Sequence, residues 1–146
     1  MGNREGDMSY SGTQAAEIVG ISYRQIDYWE RTDLVKPSIS SAHGSGTRRE
    51  YSYRDLVELR MIRTMLSSGL SLSAVRTVMR TLRERPQFDL CRLTLVISEH
   101  DVRLCNDDEI VDVVRSGTSM VTMLPLGGVM DAVDAVLHSV DAVAVI

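Results

Sequence analysis

The sequence has no apolar run near the ~18 residues that a membrane-spanning helix needs, and Met1 to Asp7 is polar with no signal-peptide core. Both absences point to the cytoplasm. Cysteine is scarce: Cys91 and Cys105 are too few for a disulfide framework and lack the second close pair that a zinc site shows. Reduced, buried thiols are expected. His43, His100 and His138 fall in three different elements without an i, i+4 pair, so no metal site is expected. There is no nucleophile elbow, phosphate loop or paired-carboxylate motif, which leaves no catalytic residue and no cofactor to assign. Internal repeats and long low-complexity tracts are also missing.

What is present suffices for a folded chain. The 146 residues are 44% hydrophobic and 25% charged, enough for one ordinary domain or two small ones with a buried core. The net charge of -4 is unevenly spread. Residues 1–86 hold 13 of the 16 basic and 10 of the 20 acidic residues, a net of +3, and residues 87–146 carry a net of -7. Of the two halves, only the basic one would attract a polyanion. Lys36 is the sole lysine among the basic residues, an arginine bias equally consistent with a GC-rich genome and with phosphate binding.

Residues 1–10 read as a flexible lead-in. From Gly12 a short helix with Ala15, Ala16 and Val19 inward stops at Gly20. Ser22 with Gln25 forms a capping-box pattern that starts a second helix over Tyr23 to Thr32, with Ile26 and Trp29 inward. Leu34 to Ile39 and Arg48 to Tyr53 then read as two short strands of a hairpin around the loop Ser40 to Thr47. Ser52 and Asp55 start a third helix that ends at Gly69, and Ser71 starts a fourth whose apolar stripe is Leu72, Val75, Val78, Met79 and Leu82. Pro86 marks a domain boundary. Beyond it, strands at Cys91 to Ile97 and Val102 to Cys105 pair with Ile97 opposite Val102 and Leu95 opposite Leu104. A helix over Asp107 to Arg115, capped by Asn106 with Glu109, a strand over Met120 to Leu126 and a helix from Val129 complete the pattern.

The elements of residues 12–53 are those of a winged helix-turn-helix, and here the residues become specific. Ala16 to Gly20, Ile21-Ser22, Arg24, Ile26, Tyr28-Trp29-Glu30-Arg31, Leu34 and Pro37 resemble the opening of the MerR family of transcription regulators. Arg49, Tyr51-Ser52 and Asp55-Leu56 resemble its wing, and Leu59-Arg60, Ile62-Arg63 and Gly69-Leu70-Ser71-Leu72 resemble the elements that follow. The resemblance covers roughly residues 10–84. The expected fold is α+β: residues 11–86 form a winged helix-turn-helix of four helices and a two-stranded wing, and residues 87–146 form a small strand-strand-helix-strand-helix domain. That second part resembles the extra domain of an actinobacterial MerR-like subgroup.

The resemblance implies double-stranded promoter DNA as partner. A helix starting at Ser22 offers its first turn to a major groove, where Tyr23, Arg24 and Asp27 can reach bases or phosphates and Arg24 can grip guanine with two bonds. Tyr28 resembles the family tyrosine that contacts backbone phosphate. Arg48 and Arg49, beside a Gly-Ser-Gly tip, suit minor-groove or phosphate contact, with Lys36 and Arg63 as further candidates. Tyr51 is open between wing packing and DNA contact. Asp27 stands where the family usually has arginine, so it either reads cytosine N4 or faces an internal partner.

Typical relatives continue into a long dimer helix, whereas here Pro86 intervenes. Val129, Val133, Val136 and Val140 recur at helical spacing and serve either as a homodimer seam or as core. The reading is a cytoplasmic homodimeric regulator at promoters that engages RNA polymerase, with no enzyme activity. Its alternatives are an architectural, excisionase-like DNA-bending protein and a sensor or protein-interaction module.

Overall fold

The computed structural model describes residues 8–39, 49–85, 92–98, 102–106, 109–114 and 121–145. Two compact units emerge: residues up to Arg63 together with those from Val133 onward, and residues Thr64–Ala132.

In the first unit, β1 (Tyr10–Ser11) leads into α1 (Gly12–Val19) and α2 (Tyr23–Arg31), followed by β2 (Glu50–Tyr51) and the start of α3 (Tyr53–Ser67). Both α1 and α2 open on a reciprocal capping box, Ser11 with Gln14 and Ser22 with Gln25, which satisfies two otherwise unpaired donors at each end. Gly20 closes α1 at φ 82°, and the N–H groups of Gly20 and Ile21 both donate to the Ala16 carbonyl. This is the left-handed turn that glycine adopts without a Cβ clash. Ile26 (0% exposed) and Trp29 (3%) face the core as the periodicity predicts, each burial stabilising the unit by about 2–3 kcal/mol.

The wing region departs from the expected hairpin. β2 pairs antiparallel with β1, Tyr10 opposite Tyr51 and Ser11 opposite Glu50, so Tyr10 is a buried strand residue and not part of a loose lead-in. Leu34 to Ile39 forms no strand. Leu34 and Val35 are buried there instead, and the Ile39 N–H makes a single bond to the Glu50 carbonyl. Pro37 removes a ladder donor from this segment, which favours a packed, irregular path.

That path is fixed by Asp55. Its Oδ2 accepts from the Ser38 N–H (2.7 Å), the Ser38 hydroxyl (2.7 Å) and the Ser52 N–H (2.9 Å), while Ser52 Oγ accepts from the Asp55 N–H (3.1 Å). One buried carboxylate thus caps α3 and pins the chain that leaves α2.

In the second unit, Ser71 caps α4 (Leu72–Arg83), whose buried residues Val75, Val78, Met79 and Leu82 match the predicted stripe. α4 lies against a four-stranded antiparallel sheet at β5. The sheet comprises β3 (Thr94–Ser98), β4 (Val102–Asn106), β5 (Glu109–Val114) and β6 (Val121–Pro125), in the order β5-β4-β3-β6. Ile97 pairs with Val102 and Leu95 with Leu104, the register read from the sequence. Within the expected helix over Asp107 to Arg115, Glu109–Val114 form a strand: Asn106 pairs with Glu109 and Leu104 with Val111. Ile110, Val111, Val113 and Val114 are β-branched, and pairing with β4 outweighs the capping pattern that suggested a helix. The last helix, α5 (Leu126–Val145), starts three residues earlier than the valine pattern indicates. Pro86 and Cys91 lie outside the described residues.

Replacing Asp55 with alanine removes three charge-assisted bonds, one of them the capping-box bond to the Ser52 N–H. Urea unfolding should show a loss of about 3 kcal/mol, and a loss below 1 kcal/mol would contradict the anchoring role.

Candidate nucleic-acid interface

The capping box at Ser22 sets the direction of α2 from its first turn. With Ile26, Trp29 and Glu30 buried, the other side of the helix carries Tyr23 (51% exposed), Arg24 and Tyr28 (44% exposed). Arg24 is exposed and no carboxylate engages it among the described residues. Ser22 at the N-cap and Tyr23, Arg24 and Tyr28 along the helix all lie on the exposed side of α2.

Arg49 lies elsewhere than expected. Its side chain is 8% exposed, and its guanidinium bonds to Glu30 through Nε and to Asp27 through Nη2, while Nη1 donates to the Tyr23 hydroxyl at 2.5 Å. The guanidinium carbon also stands 5.4 Å from the Tyr23 ring centre, within cation–π range. Burial by itself would weaken its protonation, but Glu30 and Asp27 outweigh this and hold Arg49 more firmly cationic than a free arginine. Of the two roles open for Asp27, the structure adopts the internal one: Oδ1 accepts from Arg49 and Oδ2 from Arg31 Nε at 2.8 Å. Arg49 depresses the Asp27 carboxyl below its ordinary range; partial burial opposes this and Arg31 adds to it.

Tyr51 is fully buried, so packing is its role in this conformation. Burial raises its phenol well above the ordinary value, and the nearby Glu30 charge adds to the effect. Its hydroxyl has no hydrogen-bond partner among the described residues.

Other candidates are scattered. Lys36 is exposed and paired with Asp33 at 3.0 Å, a surface contact of little energetic weight. Arg63 lays its guanidinium over the Gly20 backbone, where a Cβ would stand 3.4 Å from Cζ. Beside it, Arg60 Nη1 donates to the Val19 carbonyl at 3.3 Å. Both cations sit at the C-terminus of α1, where carbonyls are unpaired and the helix dipole is negative. Burial lowers the Arg60 value and the adjacent Arg63 charge lowers it further. Arg48 lies outside the described residues.

The valines proposed as a dimer seam divide. Val129 and Val133 are buried within the chain, alongside Leu126 and Leu137, and Val136 is half-buried. The Val140 side chain lies outside the described residues. The covered stripe of α5 therefore runs through Leu126, Val129, Val133 and Leu137. Sequence reasoning missed Glu30 and Arg31. An acid followed four residues later by an arginine, Asp27 then Arg31, was a visible signal for an internal pair.

Comparison with known proteins adds to this geometry. The profile described as MerR HTH family regulatory protein matches residues 10–82. An HTH-type transcriptional regulator of Mycobacterium tuberculosis, itself described as uncharacterized, is 42% identical over 111 residues, covering 75% of this chain and 49% of that protein. The chain thus spans about half the length of this curated relative. A Haemophilus influenzae protein named "Probable heavy metal-dependent transcriptional regulator" is 30% identical over 88 residues, 60% of this chain and 66% of that one. Among solved structures, HiNmlR, a MerR family regulator lacking the sensor domain and bound to promoter DNA, aligns at TM-score 0.43 and 23% identity, covering 55% of this chain and 64% of that chain.

Because the Asp27 carboxyl is depressed in the folded state, its stabilising contribution is fully present above the unfolded aspartate value near ~4. It is lost as pH falls through the lower folded value. Asp27→Asn should therefore melt below the wild type at neutral pH, with the gap closing under acid. A gap that stays constant down to about pH 2 would exclude the Arg49 and Arg31 pairing as its cause.

Proposed function

Since this chain belongs to the MerR HTH family of regulatory proteins, we propose that it is a sequence-specific DNA-binding regulator of transcription that acts at promoters in the cytoplasm. The observation that carries the proposal is the exposed Tyr23-Arg24-Tyr28 surface of α2, with Arg24 uncommitted on a helix whose other side is locked into the core. An arginine at the start of such a helix can take the O6 and N7 of guanine with two bonds, and Tyr28 one turn on can hold the backbone in register. The net of +3 over residues 1–86 favours a polyanion there.

The domain assignment that goes with this function gives DNA binding to residues 11–86 and dimerisation or effector or partner binding to residues 87–146, a functional division distinct from that of the compact units at Arg63 and Val133. A homodimer on a two-part operator, engaging RNA polymerase, is the assembly we propose. Its seam needs surface other than Val129 and Val133, which the chain itself covers. No catalytic step is assigned. No helix among the described residues is long and apolar enough to cross a membrane.

Selection of bound genomic fragments followed by footprinting tests the reading directly. A short motif repeated at fixed spacing beside promoters is the expected result, whereas salt-sensitive binding without a motif would favour an architectural role. On the recovered site, Arg24→Ala should reduce discrimination at one base pair by about 1–3 kcal/mol. Unchanged base preference would remove Arg24 from the interface.

A further inference from the structure

We infer that Arg49 is a positioning residue that never touches DNA: it holds the Tyr23 hydroxyl by its acceptor side, so that Tyr23 meets DNA as a hydrogen-bond donor. This rests on the DNA-binding reading above. All three guanidinium nitrogens of Arg49 are already committed, two to carboxylates and one to the Tyr23 oxygen. Swinging out to a phosphate would leave Glu30, with its side chain 9% exposed, as a buried charge without this partner. Separating a buried carboxylate from the guanidinium that faces it is strongly unfavourable.

Tyr23, by contrast, is half exposed and held from two sides. One ring edge lies against Gly12, where a Cβ would come within 2.9 Å of Cε2, and the Arg49 guanidinium stands over the ring. A side chain at Gly12 would displace the ring. Since the phenol oxygen accepts from Arg49, its own O–H is the group left for an outside partner. Donation from a guanidinium polarises the phenol and strengthens that O–H as a donor. The chain of bonds runs from Glu30 and Asp27 through Arg49 to Tyr23 and outward. Its end suits an acceptor, either a phosphate oxygen or a base-edge atom such as purine N7, and rejects the exocyclic amino groups of adenine and cytosine. Asp27, with both oxygens occupied, serves to hold Arg49 and not to read cytosine.

The test uses the full chain on a fragment selected by the wild type, with affinity measured across salt concentrations for Tyr23→Phe, Arg49→Gln, the double variant and Asp27→Asn. Each single change at Tyr23 or Arg49 should weaken binding by about tenfold. The double variant should be no weaker than the worse single one, and the salt slope should not move. A phosphate contact by Arg49 would instead lower the slope by about 0.9 on its removal; that result, or multiplicative losses, overturns the assignment. Arg49→Gln removes the charge that faces buried Glu30 and can fail to fold, and Asp27→Asn then decides. Weaker binding supports positioning, while tighter, steeper salt-dependent binding to all DNA means that Asp27 only screened Arg49 from phosphate. Methylphosphonate and 7-deazapurine substitutions identify the acceptor as the one whose loss abolishes the Tyr23→Phe effect, and if none does, donation by Tyr23 is excluded. A wild-type chain that enriches no fragment refutes the DNA-binding reading itself.

Discussion

One guanidinium buried beside two carboxylates of α2 ties β2 to that helix. Arg49 enters from beside β2, and Glu30 and Asp27 come from successive turns of α2, so neither element can rotate without separating charges in a region largely closed to water. Removing one partner from such a pair typically costs about 3–5 kcal/mol, because the other charge remains buried. The pair therefore gives less net stability than uniqueness of arrangement. Only one rotation of α2 about its axis brings Asp27 and Glu30 to Arg49 while keeping Ile26 and Trp29 in the core.

The remaining freedom of α2 is removed at its two ends by different chemistry. Before it, the turn at Gly20 is covered by Arg63, and Arg60 satisfies the Val19 carbonyl, so two side chains of α3 steady the backbone that leads into Ser22. After it, Asp33 takes a left-handed φ of 63° and the Leu34 and Val35 N–H groups return to the Trp29 carbonyl. Asp55 then anchors Ser38. α2 is thus held before, after and along its inner side, which leaves its backbone little conformational entropy to lose on binding.

Much of this was legible in the sequence where the signal is local. Ser22 with Gln25, Ser71 before Leu72 and glycine at position 20 each identify a helix end through the chemistry of a few neighbouring residues. The β3–β4 register was equally readable, since alternation of buried residues admits one alignment. Signals that need distant partners were not. Arg49 looks like a surface wing arginine until Glu30 and Asp27 are known to face it, 19 and 22 residues away. Tyr10 belongs with Tyr51 only because β1 and β2 meet. For residues 109–114, a capping pattern and a β-branched run made competing claims, and the pairing partner β4 decided between them.

The unit that carries α2 is discontinuous in sequence, closed by residues from Val133 onward. Tyr53 at the start of α3 donates to Asp134 at 2.7 Å, across 81 positions of chain. A ribosome releases the chain from its N-terminus, so α1, α2 and β2 emerge long before Asp134 exists. Completion of this unit must wait for the residues from Val133 onward and for closure over the intervening segment, a non-local step of the kind that slows folding. A truncated product ending before α5 would contain every residue assigned to DNA contact and yet lack the hydrogen bond that Asp134 supplies to Tyr53.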